Sequence, residues 1–165
     1  MEEFHIKNIR ELIKNKDKLE ERLNVKIKIQ GNKVYVEGDP LYEYESSLVF
    51  KAIAFGFSVK IALLLVDEEN IFKTIHIREH TKRRLKDVLA RLIGTKGKTK
   101  RVISDISNCY IVIKEGSVGI IGDGKDVENA ETAVISLIKG SKQVNMYHYL
   151  EKMNKIKKEM DDYYR

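Results

Sequence analysis

The feature that most constrains this chain is an internal repeat, because residues of the same type recur at a fixed spacing along its two halves. Gly38-Asp39 matches Gly122-Asp123 at an offset of 84 residues, and four apolar residues of the first half match apolar residues 84 positions later: Ile27, Ile29, Val34 and Val36. Leu12-Ile13 matches Leu92-Ile93 at an offset of 80, so the second copy carries four extra residues near its centre. Two copies within 165 residues predict two small domains of one architecture.

Each copy predicts the same order of elements, which is strand, helix, turn, helix, strand, strand, helix. Alternating apolar and polar residues predict the two adjacent strands, with turn residues between them at Gly31-Asn32 and at Glu115-Gly116. These strands cover residues 26–30 and 33–37 in copy one, and residues 109–114 and 117–121 in copy two. The prediction is an α+β fold in which helices cover one face of a three-stranded sheet, with domains at residues 1–70 and 71–165.

The second copy places Gly94-Thr95-Lys96-Gly97 between its first two helices, directly after Ile93. Ile-Gly-x-x-Gly in this context is the signature of the KH domain, which clamps single-stranded RNA. Two glycines let the backbone turn sharply and approach a sugar-phosphate chain closely. The first N–H groups of the following helix can then meet phosphate oxygens. We therefore predict two tandem type I KH domains, of which the second carries an intact GxxG loop.

The distribution of charge also indicates that the second half of the chain binds RNA. Residues 1–70 carry 11 Lys and Arg against 13 Asp and Glu, whereas residues 71–165 carry 20 against 12. Between Thr81 and Arg101 nine basic residues face a single acid, Asp87, which is typical of a phosphate-binding surface. A Lys-rich solvated helix face is the alternative interpretation. The predicted RNA-binding residues are Arg91, Ile93, Gly94, Thr95, Lys96, Gly97, Lys98, Lys100, Arg101 and Ile111.

The first copy has Lys14-Asn15-Lys16-Asp17 where the second has its glycine loop. Without glycine, side chains obstruct the approach of a nucleic-acid backbone, and Asp17 repels phosphate. The first copy therefore predicts a degenerate KH domain lacking the GxxG loop. Phosphate contact by Lys14, Lys16 and Lys18 remains open.

No catalytic set is recognisable. Gly94 to Thr99 ends like a nucleotide-binding P-loop, but that motif requires a glycine at the position of Leu92. The single cysteine, Cys109, and four scattered histidines offer no metal-ligand spacing. We predict a non-enzymatic, cytoplasmic protein without cofactor, metal or membrane segment.

The end of the chain carries an apolar stripe at spacings of three and four residues, formed by Met146, Tyr149, Met153, Ile156, Met160 and Tyr163. This spacing predicts a C-terminal helical extension. One interpretation is that the stripe packs onto the rest of this protein. The alternative is that it forms a docking surface for another protein.

Several stretches together resemble one known family. They are residues 91–101 around the GxxG loop, residues 119–123, Gly140-Ser141, residues 147–151, and Gly56-Phe57-Ser58 leading to residues 62–65. They resemble the archaeal relatives of Partner of Nob One, a tandem-KH small-subunit ribosome assembly factor.

The resemblance implies binding of single-stranded RNA near the 3′ end of small-subunit ribosomal RNA, within a pre-ribosomal particle. It also implies contact with the processing endonuclease and with the alpha subunit of translation initiation factor two. The alternative function is a KH-domain adaptor or messenger-RNA-binding regulator that acts mainly through protein partners.

Overall fold

The computed structural model describes all 165 residues and separates into two compact units, residues 1–72 and 73–165. Each unit contains helices and a three-stranded sheet, which confirms the predicted α+β class. No helix is long and apolar enough to cross a membrane.

The first unit follows the predicted element order and then adds two short helical turns. Its elements are β1 (Glu2–His5), α1 (Ile9–Lys14), α2 (Lys16–Leu23), β2 (Lys26–Gln30), β3 (Lys33–Glu37), α3 (Pro40–Phe55), α4 (Val59–Ala62) and a 3-10 helix (Leu63–Val66). The sheet order is β1-β3-β2, with both neighbouring pairs antiparallel. Alternation along the strands buries Ile27, Val34 and Val36, and Phe50 of α3 stacks on Phe4 at 5.4 Å between ring centroids.

The second unit repeats this order. Its elements are β4 (Asn70–His76), a 3-10 helix (Ile77–Glu79), α5 (Leu85–Ile93), a 3-10 turn (Thr95–Gly97), α6 (Lys98–Ser107), β5 (Tyr110–Lys114), β6 (Ser117–Asp123), α7 (Gly124–Ile138) and α8 (Gln143–Tyr163). The sheet order is β4-β6-β5, so β5 lies at one edge. The inward residues of α7 enter one core with those of the strands and of α5 and α6.

The backbone repeats its unusual conformations at the spacing of 84 residues found in the sequence. Asn24 and Asn108 end α2 and α6 in the left-handed region, with φ of 57° and 54°. Two further pairs with positive φ are separated by the same distance: Gly31 with Glu115, and Gly56 with Gly140. The same turns thus occur at equivalent points of both units.

The C-terminal apolar stripe lies on α8, and its two halves differ. Met146 is buried in the core of the second unit and Tyr149 packs against that core, beside the buried Leu150, and α8 packs on α6 and α7. The Asn154 amide also donates a hydrogen bond to the Ile106 carbonyl. Ile156, Met160 and Tyr163 are exposed. Internal packing therefore accounts for the first half of the stripe only.

An ion pair holds the exposed half of α8 to the start of α7. The Lys157 ammonium donates to Asp126 at 2.9 Å, and the Asp126 side chain is only 8% exposed. Burial of the ammonium lowers the pKa of Lys157, but the hydrogen bond and charge of Asp126 outweigh it. The pKa of Lys157 therefore lies above its usual 10.5.

Lys157→Met should lower the free energy of unfolding by about 1–3 kcal/mol, because it leaves a buried carboxylate without its donor. Lys158→Met, the same change at the exposed neighbouring position, should change it by less than about 0.5 kcal/mol. Because the folded pKa is the higher one, the advantage of wild type should be constant below pH 10.5 and decline above it. Urea unfolding of the three proteins between pH 7 and pH 11 measures both effects, and equal stability of the two variants would contradict them.

Candidate nucleic-acid interface

The GxxG loop joins α5 to α6 through a backbone that ordinary residues rarely adopt. Gly94 ends α5 with φ 74° and ψ 174°, a region essentially restricted to glycine. Lys96 and Gly97 follow in the left-handed region, with φ of 54° and 76°. The Gly97 N–H donates to the Gly94 carbonyl at 3.1 Å, which closes the turn. The chain therefore reverses within four residues and leads directly into α6.

The two glycines serve different purposes. A Cβ at Gly94 would lie 2.7 Å from the backbone nitrogen of Thr99 and 2.8 Å from its Cβ, so the buried Thr99 occupies the space that a side chain would need. A Cβ at Gly97 would meet nothing within 4 Å. Gly94 is thus required by internal packing, whereas Gly97 leaves open space on the outside of the loop, where a ligand can approach.

The N-terminus of α6 is available to an anion. No side chain caps its first turn, so its leading N–H groups have no intramolecular side-chain acceptor. Lys96, Lys98 and Arg101 are exposed beside it, and no carboxylate lies within ion-pair distance of them. Lys100 is half-buried. Backbone donors, a helix dipole and free cations together suit a phosphate group.

Arg91, a predicted RNA contact, already makes intramolecular hydrogen bonds in this structure. Its guanidinium donates to the carbonyls of Leu137 and Ser141, at 3.1 Å and 2.5 Å. The Leu137 carbonyl belongs to the last turn of α7, which has no basic residue of its own, and Ser141 follows shortly after that helix. Arg83 lies in the same region, where its guanidinium fills the space left by the absent side chain of Gly140. Both cations stabilise a helix C-terminus.

Arg91→Ala should therefore lower the free energy of unfolding by about 1–3 kcal/mol, since two carbonyls lose a charged donor. Arg101→Ala is the matched control from the loop flank, and it should leave stability within about 0.5 kcal/mol. Arg101→Ala should instead reduce the salt dependence of RNA affinity, by about one unit of slope. Thermal melts and RNA titrations of both variants measure this division, and the reverse pattern would contradict it.

Ile111, another predicted RNA contact, is largely buried. Its side chain is only 8% exposed and belongs to the core of the second unit, so it presents little surface to a nucleobase. Ile113 follows on the same face of β5 and is half-buried at the edge of that core. Ile93 is 39% exposed, directly before the loop. Among these apolar residues Ile93 therefore exposes the most surface, and Ile113 is less buried than Ile111.

Two features of this interface were not among the predicted site residues. Thr99 shapes the loop by filling the space over Gly94, and a threonine at the start of a helix carries no sequence signal of that role. Ile113 shares the side-chain direction of Ile111, so the alternation along β5 could have indicated it. The structure brings Ile93, Thr95, Lys96, Lys98 and Arg101 to the surface around the loop.

The first unit lacks this geometry. Only Asn15, with φ −107°, separates α1 from α2, and its side chain donates to the Glu11 carbonyl at 2.8 Å. Ile13 is 53% exposed, and Ile93, at the equivalent point of the second unit, is 39% exposed. An exposed apolar residue is thus present in both units, but an open glycine backbone occurs only in the second.

Two further observations concern metal ligands and the single thiol. No group of three or more His, Cys, Asp or Glu side chains is placed to hold a metal ion. Burial raises the pKa of Cys109 to about 12, so the thiol is protonated and unreactive near neutral pH.

Comparison with known proteins gives a consistent family. The family model for the second KH domain of PNO1 proteins, a eukaryotic-type or type I KH domain, matches residues 71–155. A KH domain-containing protein of Methanocaldococcus jannaschii is 32% identical over 148 residues, covering 83% of this chain and 64% of that protein. The pre-rRNA-processing protein Pno1 of Aspergillus fumigatus is 29% identical over 148 residues, covering 82% and 56%. This chain therefore spans between about half and two-thirds of the length of these curated relatives.

A solved structure is also similar over nearly the whole chain. The matching chain of a crystal structure of an a/eIF2alpha–aDim2p–rRNA complex from Pyrococcus horikoshii has a TM-score of 0.80 and 30% identity. The match covers 93% of this chain and 93% of that chain.

Proposed function

This chain belongs to the PNO1 family of type I KH-domain proteins, and on that premise we propose that it is an RNA-binding factor of ribosome biogenesis. The second unit holds single-stranded RNA. The observation that carries the proposal is the Gly94–Gly97 loop, which is open at Gly97 and leads into an uncapped helix beside unpaired cations.

Three features of this geometry support the proposal. The loop brings backbone N–H groups to a phosphate, since Gly97 offers no side chain to keep it away. Lys96, Lys98 and Arg101 neutralise neighbouring phosphates. Ile93 offers an exposed apolar surface on which an unpaired base can lie.

We propose that the first unit is a KH domain that has lost this function. Its sheet order and its left-handed turns match those of the second unit at equivalent positions. Its α1–α2 junction has no glycine and no positive φ. The first unit thus keeps the architecture without a loop that admits a phosphate.

The proposed target is single-stranded RNA near the 3′ end of small-subunit ribosomal RNA, in a pre-ribosomal particle. Its support is the relatives, because the Aspergillus protein is a pre-rRNA-processing protein and the Pyrococcus complex contains rRNA. That complex also contains a/eIF2alpha, so we propose the alpha subunit of translation initiation factor two as a partner. The family resemblance adds the processing endonuclease as a second proposed partner. The protein acts in the cytoplasm, without catalysis or a cofactor.

Crosslinking of RNA to this protein in its native cells, followed by sequencing, tests the target. The proposal predicts enrichment at the 3′ end of small-subunit ribosomal RNA. Sequences spread over messenger RNAs, without that enrichment, would favour a messenger-RNA-binding regulator and end the ribosomal proposal.

A further inference from the structure

The outward face of α3 in the first unit is apolar although it is exposed. Leu41, Tyr44 and Leu48 are 62%, 77% and 47% exposed. Their spacing of three and then four residues puts them side by side on one face of the helix. Single exposed apolar residues are ordinary on protein surfaces, whereas an adjacent group indicates an interaction site.

The second unit provides an internal control for this face. At the spacing of 84 residues, the positions of Leu41, Tyr44 and Leu48 correspond to Lys125, Glu128 and Thr132 of α7, and all three are exposed. The inward positions, by contrast, remain apolar in both helices, as in Phe50 and Val134. The fold therefore requires the apolar inner face but does not require an apolar outer face.

The charges along the first turns of this face are acidic, and the exposed Lys51 follows one turn after Leu48. No Lys or Arg occurs between Glu37 and Lys51. Asp39 stands at the N-cap position of α3 without a side-chain capping hydrogen bond, and Glu45 lies within the exposed face between Leu41 and Leu48; both are exposed. Such a surface repels RNA phosphates and attracts cationic side chains.

We propose that the outward face of α3, formed by Leu41, Tyr44 and Leu48, docks a basic amphipathic helix of a protein partner. Apolar residues of that helix cover Leu41 and Leu48, and its Lys or Arg side chains meet Asp39 and Glu45. The ring of Tyr44 suits both contacts, because it offers apolar area and an electron-rich face to a cation. This surface is separate from the RNA-binding loop and does not depend on its function.

A defined probe tests the proposal on the full chain. The probe is a synthetic helical peptide of about eighteen residues with Leu on one face and Lys and Arg on its flanks. A second peptide carries Glu at each of those cationic positions. We expect the basic peptide to bind and to shift the backbone amide NMR signals of α3, and the acidic peptide to bind at least about ten-fold more weakly.

The decisive variant transfers the polar face of the second unit to the first. This variant carries the residues of α7 at the three positions, through Leu41→Lys, Tyr44→Glu and Leu48→Thr. It should bind the basic peptide at least about ten-fold more weakly. Because these side chains are exposed, thermal melts should show a folded protein. The matched control removes the exposed apolar residues of α8 with Ile156→Thr, Met160→Lys and Tyr163→Glu, and it should bind as wild type does.

Three outcomes would overturn the proposal. The first is that the basic peptide does not bind, or binds without shifting the amide signals of α3. The second is equal affinity of wild type and the α3 variant for this peptide, and the third is an equal loss of affinity in the α3 and α8 variants. Sedimentation provides a further test. If wild type is a dimer and the α3 variant is a monomer, the face binds a second copy of this chain rather than a basic partner.

Discussion

Gly97→Asp should weaken the binding of a short single-stranded RNA by about ten-fold or more, which corresponds to at least about 1.4 kcal/mol. A side chain at this position would enter the open space on the outer side of the loop, where the phosphate is expected. Asp adds both bulk and a negative charge there, in front of the helix N-terminus that otherwise attracts the anion. Asp also tolerates the left-handed conformation of Gly97 better than most residues, so the fold should survive.

Gly97→Asn is the matched control, because Asn has the same shape and the same tolerance for positive φ but carries no charge. The Asn variant should lose less affinity than the Asp variant, and the difference should shrink as salt rises. Fluorescence anisotropy with a labelled RNA of about eight nucleotides measures both at several salt concentrations. Wild-type affinity of a folded Gly97→Asp protein would contradict the assignment of the loop.

Gly94→Ala should have the largest effect on the fold. Its Cβ would lie 2.7 Å from the Thr99 nitrogen, and the backbone at Gly94 is in a region that alanine does not adopt. Strain and overpacking together should cost about 2–5 kcal/mol. RNA binding should also be lost, because the start of α6 must move to make room.

Gly97→Ala separates these two causes. The alanine would have to adopt a positive φ, but its Cβ would have no neighbour within 4 Å. The substitution should therefore lower the free energy of unfolding by only about 1–2 kcal/mol. Thr99→Ala should not rescue Gly94→Ala, because the backbone nitrogen of Thr99 remains in the way. Thermal melts of wild type, Gly94→Ala, Gly97→Ala and the Gly94→Ala/Thr99→Ala double variant measure this order of stability. A melting temperature of Gly94→Ala equal to or above that of Gly97→Ala would contradict it.

Local patterns predicted the parts of the fold that depend on local physics. Strands β2 and β3 have the predicted bounds, since alternation and the Gly31-Asn32 turn define a hairpin without reference to the rest of the chain. The apolar run of residues 61–66, by contrast, lies across the end of α4 and a 3-10 helix. A run that is apolar throughout has no period, so its helix type is decided by what packs around it.

The site was less predictable where a residue's role depends on its neighbours in space. Arg91 belongs to a basic stretch whose members look alike in sequence, but its distance to the end of α7 makes it a helix cap. Ile111 was assigned to the RNA surface because β5 borders it, whereas the core takes most of its side chain. The glycine loop was recognisable because glycine is the residue type that its backbone conformation requires.

The most direct test of the account is to locate RNA on the full chain by NMR. A short single-stranded RNA titrated into isotopically labelled protein should shift the amide signals of residues 93–101, with those of residues 13–18 unchanged. That result would place the RNA on the open loop of the second unit. Shifts concentrated at residues 13–18 or on α3, with the Gly94–Gly97 loop unaffected, would contradict it.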